Sequence, residues 1–369
     1  MRYSCLAAVF IFYSSAAQPN QEYKFLKFDN KYSVNSMALS PDGATMVIST
    51  GQGPIFFYDW QNERITKSID HSHFAGPKVS YSEDGKYILL QQQFYADFNL
   101  NKDRPARAEV MDAESGQVVL EKDRVHFACI TKDNKLAMLS GNEISIWNIS
   151  SGEKEIFFEV PDATNAIAVS PDGKTVAVSF KPTADDIKNV PTIRDDKKAQ
   201  KQTLKFRQMV AFYDLATKQK KYVTNEVFDI IYSMKYSKDG SSLWVYNVPS
   251  TRLQTSTAGR QGYINKVNAL NGDVGRIILM SLAAEPEYNE SGYGAWMGVV
   301  SVETTWGTTD VLLIYETEYG KLQKNFRMDK KLFENAGYSG RTSFVFLPDG
   351  ERIILAYGSK LAVWRMPGK

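Results

Sequence analysis

Short apolar runs of strand length alternate with tight polar turns along this chain, and two kinds of junction recur in turn. In the first, apolar runs such as Ala166-Ile167-Ala168-Val169 and Thr175-Val176-Ala177-Val178 flank Ser170-Pro171-Asp172-Gly173. Proline presets φ at the second turn position, Asp bonds back to the backbone, and Gly or Asn accepts positive φ, so this junction predicts a tight hairpin. Related turns are Ser40-Pro41-Asp42-Gly43, Ser82-Glu83-Asp84-Gly85, Thr131-Lys132-Asp133-Asn134, Ser237-Lys238-Asp239-Gly240 and Leu347-Pro348-Asp349-Gly350. In the second junction an apolar strand ends in an aromatic or branched residue and then a polar one. Examples are Phe56-Phe57-Tyr58-Asp59, Ile144-Ser145-Ile146-Trp147-Asn148, Val210-Ala211-Phe212-Tyr213-Asp214 and Leu361-Ala362-Val363-Trp364-Arg365.

Because the two junctions alternate, each pair defines four antiparallel strands, a to d, with the first junction between a and b and the second closing c. That unit is a propeller blade, and the pattern predicts an all-β, seven-bladed β-propeller. Blade six has no Asp-Gly turn, and Gly292-Tyr293-Gly294 is its candidate substitute. The last unit stops after strand c at Trp364-Arg365-Met366, whereas Tyr23-Lys24-Phe25-Leu26-Lys27-Phe28 precedes the first strand a with no b or c of its own. Pairing that N-terminal strand into the last blade closes the ring and removes an open edge.

These residues resemble the WD40 family and related propellers with YVTN-type repeats. Tyr58-Asp59, Trp147-Asn148 and Tyr213-Asp214 stand where the WD40 family places Trp-Asp, and Ser40-Pro41-Asp42-Gly43 and Ser170-Pro171-Asp172-Gly173 match its a-to-b turn, while the family's Gly-His pair is absent. The resemblance implies a rigid platform for other proteins and carries over no catalytic residue.

Composition narrows the picture further. A net charge of +2, from 44 basic and 42 acidic residues, gives no global field for nucleic acid. Arg2, the apolar run Cys5 to Tyr13 and the small residues Ser15-Ala16-Ala17 read as a signal peptide over residues 1–17, leaving 18–369 as one propeller domain in a secreted or periplasmic protein. No segment has the apolar length of a transmembrane helix. The mature chain then holds one cysteine, Cys129, read as a small buried thiol. No phosphate loop, Cys-x-x-Cys, haem attachment motif or nucleophile elbow occurs, so no cofactor and no catalytic residue are expected.

The loops carry the functional expectation. In a propeller the a-to-b and c-to-d turns share one face, and the b-to-c loops and d-to-a crossings share the other. The first set is short nearly everywhere. The second carries inserts at Gln91–Arg107, Lys181–Arg207 and Pro249–Gly262, and long crossings at Ala283–Gly292 and Asp329–Arg341. Long loops in compact domains are functional or disordered, so the insert-bearing face is the expected binding face. Partner-binding candidates are Phe94, Tyr95, Phe98 and Arg104 in the blade-two insert, since aromatics and Arg are enriched at hot spots. In the blade-four insert they are Lys197, Lys198 and Lys201, with a solvated flexible loop as the plainer reading. Asp70-His71-Ser72-His73 is the one cluster with ligand chemistry: on an extended segment the two rings would face one way and Asp70 would orient one of them. It names too few ligands for a metal site and is read first as a polar loop. The leading function is a scaffold for a protein partner. The alternative is an enzyme using the central mouth, such as a lactonase-like hydrolase or a quinone-dependent dehydrogenase, which would gather His, Asp, Glu or Arg from several blades there.

Overall fold

A computed structural model describes residues 23–51, 53–92, 106–249, 261–279, 287–292, 294–303, 309–327 and 342–366. They form seven four-stranded antiparallel sheets arranged as a ring of blades. The first strand of each sheet is innermost: Val34–Leu39, Lys78–Tyr81, Phe127–Ile130, Ala163–Val169, Ile230–Tyr236, Tyr288–Glu290 and Thr342–Phe346. Inner strands of neighbouring blades touch, as Val34–Leu39 does with both Lys78–Tyr81 and Thr342–Phe346. Burial follows position in the blade. The second and third strands are almost wholly buried, as in Thr175–Phe180 and Ser242–Val248, whereas the outermost strand alternates, as in Arg64–Ile69.

The seventh blade closes as the sequence predicts. Tyr23–Leu26 pairs antiparallel with Lys360–Arg365, with Tyr23 opposite Trp364 and Leu26 opposite Leu361. Tyr23 stacks on the Trp364 ring at 5.0 Å, and Leu26 and Phe28 are buried.

All seven a-to-b turns take one form. In each, the fourth residue donates its N–H to the carbonyl of the first: Gly43 to Ser40, Gly85 to Ser82, Asn134 to Thr131, Gly173 to Ser170, Gly240 to Ser237, Gly294 to Ser291 and Gly350 to Leu347. Gly294, at φ 68°, thus makes the blade-six turn without the Asp. The crossing into that blade is shorter than the sequence suggested, because Tyr288–Glu290 within it is already the inner strand. The polar residue that ends strand c also acquires a role. Asp112 Oδ1 accepts from Ser115 N at 2.8 Å, Asn148 Oδ1 from Ser150 N at 2.9 Å, and Asp214 Oδ1 from Thr217 N at 2.8 Å. Each shapes the c-to-d turn by an Asx-type bond.

Candidate functional site

The two faces of the ring differ in what their loops do. On the a-to-b side, the proline of one turn lies against the glycine of the next blade's turn. A Cβ added to Gly43 would meet Pro348 Cγ at 2.5 Å, one on Gly85 would meet Pro41 Cδ at 3.2 Å, and one on Gly240 would meet Pro171 Cδ at 3.3 Å. Where the turn lacks proline, polar contacts replace it: Asn134 donates to Asp84 at 2.6 Å and Lys132 pairs with Glu83 at 3.2 Å. At these four seams the turns hold neighbouring blades together.

On the opposite side the blade-four insert is ordered, not a flexible loop. It forms α1 (Ala184–Ile187) and α2 (Lys197–Phe206). Its apolar residues explain why: Ile187, Val190 and Ile193 are buried against Phe180, Met209 and Ala211 of the blade. Thr183 and Asp186 close a capping box on α1, and Asp196 caps α2 by accepting from Lys198 N at 2.8 Å and Ala199 N at 2.9 Å. Lys197, Lys198, Lys201 and Lys205 are exposed. At about 100° per residue they fall within one arc of α2, forming a basic stripe. Lys197, Lys198 and Lys201 have no carboxylate partner among the described residues, whereas Lys188 pairs with Asp185 and Arg207 with Asp229. Phe94, Tyr95, Phe98 and Arg104 lie outside the described residues.

The crossing from blade one to blade two brings together what the sequence left apart. Asp70-His71-Ser72-His73 is a turn rather than an extended segment, with Phe74 N donating to His71 O at 3.1 Å. Asp70 does not hold a ring: its Oδ1 accepts from Ser72 N at 3.1 Å, and that bond chiefly holds its carboxyl below the usual range. The rings nevertheless meet, with centroids 4.3 Å apart. The residue that sequence reasoning missed is Glu109, on the blade-two strand Arg107–Asp112 and fully buried. Its Oε2 lies 3.1 Å from His71 Nε2, and its Oε1 lies 3.4 Å from His73 Nε2 and 3.2 Å from Arg107 Nε. Although burial opposes ionisation of Glu109, the nearby His71, with Arg107 and His73, keeps its carboxyl below the usual range. The signal available in sequence was a lone Glu on an otherwise apolar strand c, Ala108-Glu109-Val110-Met111.

The mouth of the central channel holds a different ionic group. Lys78 Nζ reaches Glu287 Oε2 at 2.6 Å, and Ser343 donates to Glu287 Oε1 at 3.0 Å. Blades two and six are as far apart as a seven-blade ring allows, so this pair spans the channel. One turn nearer the a-to-b face, Lys235 Nζ donates to Tyr288 O at 2.8 Å and to Asn289 Oδ1 at 3.0 Å. Its ammonium is lowered to about 8, mainly by desolvation among the inner strands, although the residue keeps an exposed surface. Cys129 lies on an inner strand with its thiol pushed up to about 11 by burial, which disfavours the reactive thiolate.

No protein-family model matches the chain, and no curated protein matches it in sequence. The seven-bladed arrangement therefore stands on the strand pairing and on the repeated turns themselves.

Proposed function

We propose that this protein is a WD40-like propeller scaffold, secreted or periplasmic, that holds a protein partner on its insert-bearing face. The observation that carries the proposal is the packed helix α2 with its unpaired basic stripe. Lys197 and Lys198 occupy the first turn of α2, where the helix dipole is already positive and where the Asp196 carboxylate is engaged in capping the backbone rather than paired with either ammonium. Cations there work against helix stability, so folding alone does not account for them, and an acidic partner surface would. The other face supports the same reading, since at four of its seams the turns are taken up by contact between blades. The N-terminal residues support export, and mass spectrometry of the native protein should find a chain beginning near Gln18.

The test is affinity capture from the native compartment with the wild type and with Lys197, Lys198 and Lys201 all changed to Glu. A partner held by the wild type, weakened by salt and lost by the triple variant at unchanged melting temperature, is the expected result. Partners retained by the triple variant would overturn it.

A further inference from the structure

We propose that His71, His73 and Glu109 form a binding site for one divalent first-row transition cation of the zinc type, at the seam of blades one and two. Each residue offers one donor atom, and these three atoms lie within 4.8 Å of one another. Tetrahedral ligands at metal distances of about 2.0–2.1 Å sit roughly 3.3 Å apart. The structure places His71 Nε2 at 3.1 Å from Glu109 Oε2, and His73 Nε2 at 3.4 Å from the other carboxylate oxygen, Oε1. Two imidazoles and one carboxylate are borderline donors that suit zinc and its neighbours, and three protein ligands leave one position for water or for a donor on a partner.

Two further observations point to a cation here. His71 and Glu109 are 2% and 0% exposed, and His71 Nε2 and Glu109 Oε2 face each other without hydrogen-bond geometry and with no other hydrogen-bond partner among the described residues. Buried polar atoms are nearly always satisfied, so such a facing pair marks a place where a third atom belongs. The charge around it also favours a cation. Glu109 stands directly opposite Glu121 on the neighbouring strand, an arrangement of like charges that is unfavourable, and among the described residues Arg107 bridges the two. Asp123 reaches that same guanidinium at 4.0 Å. Among the described residues three carboxylates thus share the Arg107 guanidinium. Coordination through Glu109 Oε2 leaves Oε1 with Arg107, an outer partner that fixes the carboxylate's orientation. His71 is held by its turn and by edge contact with buried Phe74 at 5.5 Å, and His73, half exposed, stands on the solvent side.

The experiment uses the full, tag-free chain dialysed against chelator, titrated with Zn2+ by calorimetry and with Co2+ by visible absorption. Expected is one Zn2+ per chain and an intense four-coordinate Co2+ band. Outer partners alone are worth about 10–100-fold in affinity, so His73→Ala and Glu109→Gln should each cost at least about 100-fold and abolish the band. His73→Ala removes a half-exposed ring and leaves the core intact, so it decides the question even if Glu109→Gln lowers the melting temperature. No saturable Zn2+ binding, or binding that His73→Ala leaves unchanged, would overturn the site.

Discussion

Pro348 against Gly43 and Pro171 against Gly240 show how one residue in a turn can couple two blades. Gly43 and Gly173 have the same left-handed conformation, at φ 74° and 70°, but only Gly43 is pressed by a neighbouring proline. Alanine at Gly173 should therefore cost about 1 kcal/mol for the backbone alone, and alanine at Gly43 at least about 1 kcal/mol more because a rigid ring must move, as urea titration of both variants would show. The Asp of these turns adds a pH dependence. Hydrogen bonds from Ser40, Ser170 and Ser237 are the chief causes holding the Asp42, Asp172 and Asp239 carboxyls below their ordinary value. A depressed carboxyl stabilises the fold above the unfolded value near 4, and that stabilisation is lost as pH falls through the folded values. The urea midpoint should accordingly drop below about pH 4 in the wild type, and less steeply in Asp172→Ala, whose midpoint is already lower. At this scale the turn chemistry was legible in the sequence because each bond is local, whereas the proline–glycine contact was not, because its partners lie in different blades.

Elements divide into those that fold by pairing within a blade and those that depend on a distant segment. Deleting residues 21–28 removes the outer strand of the seventh blade together with its buried Leu26 and Phe28, and uncovers Trp364, buried in the native ring. Burial of Leu26 and Phe28 alone contributes about 4 kcal/mol, so a thermal melt should show a loss at least that large, and an unchanged midpoint would contradict the closure. Helix α2 is a local element with a separate vulnerability. Asp196→Ala removes the acceptor for two N–H groups and should destabilise the insert by about 1 kcal/mol, read as faster amide exchange in 184–206 with the blades unaffected. The sequence announced neither helix, since Pro182 and Pro191 and a run of charges read as a loop. The helices form because Ile187, Val190 and Ile193 find an apolar surface on blade four, a surface that exists only after the blade has folded.

For the whole molecule, the Lys78–Glu287 pair is a strut across the channel, 15% and 11% exposed and 209 residues apart in the chain. Lys78→Met leaves a largely buried carboxylate without its cation and should cost about 2–4 kcal/mol, while adding Glu287→Leu should recover part of that loss; a double-mutant cycle measures the coupling. Such a strut also shows where local reading stops. The repeat of two junctions determined the blade, the number of blades and the closure by the first strand, because strand alternation and turn chemistry act between residues close in sequence and a blade has only one way to pair them. Tertiary structure alone decided which side chains meet between blades: Pro348 on Gly43, Lys78 on Glu287, and Glu109 beneath His71 and His73. The physical reason is that a β-ring brings the same levels of distant strands together around its axis and along its seams, so charge and donor atoms converge there without any spacing in the sequence to record it.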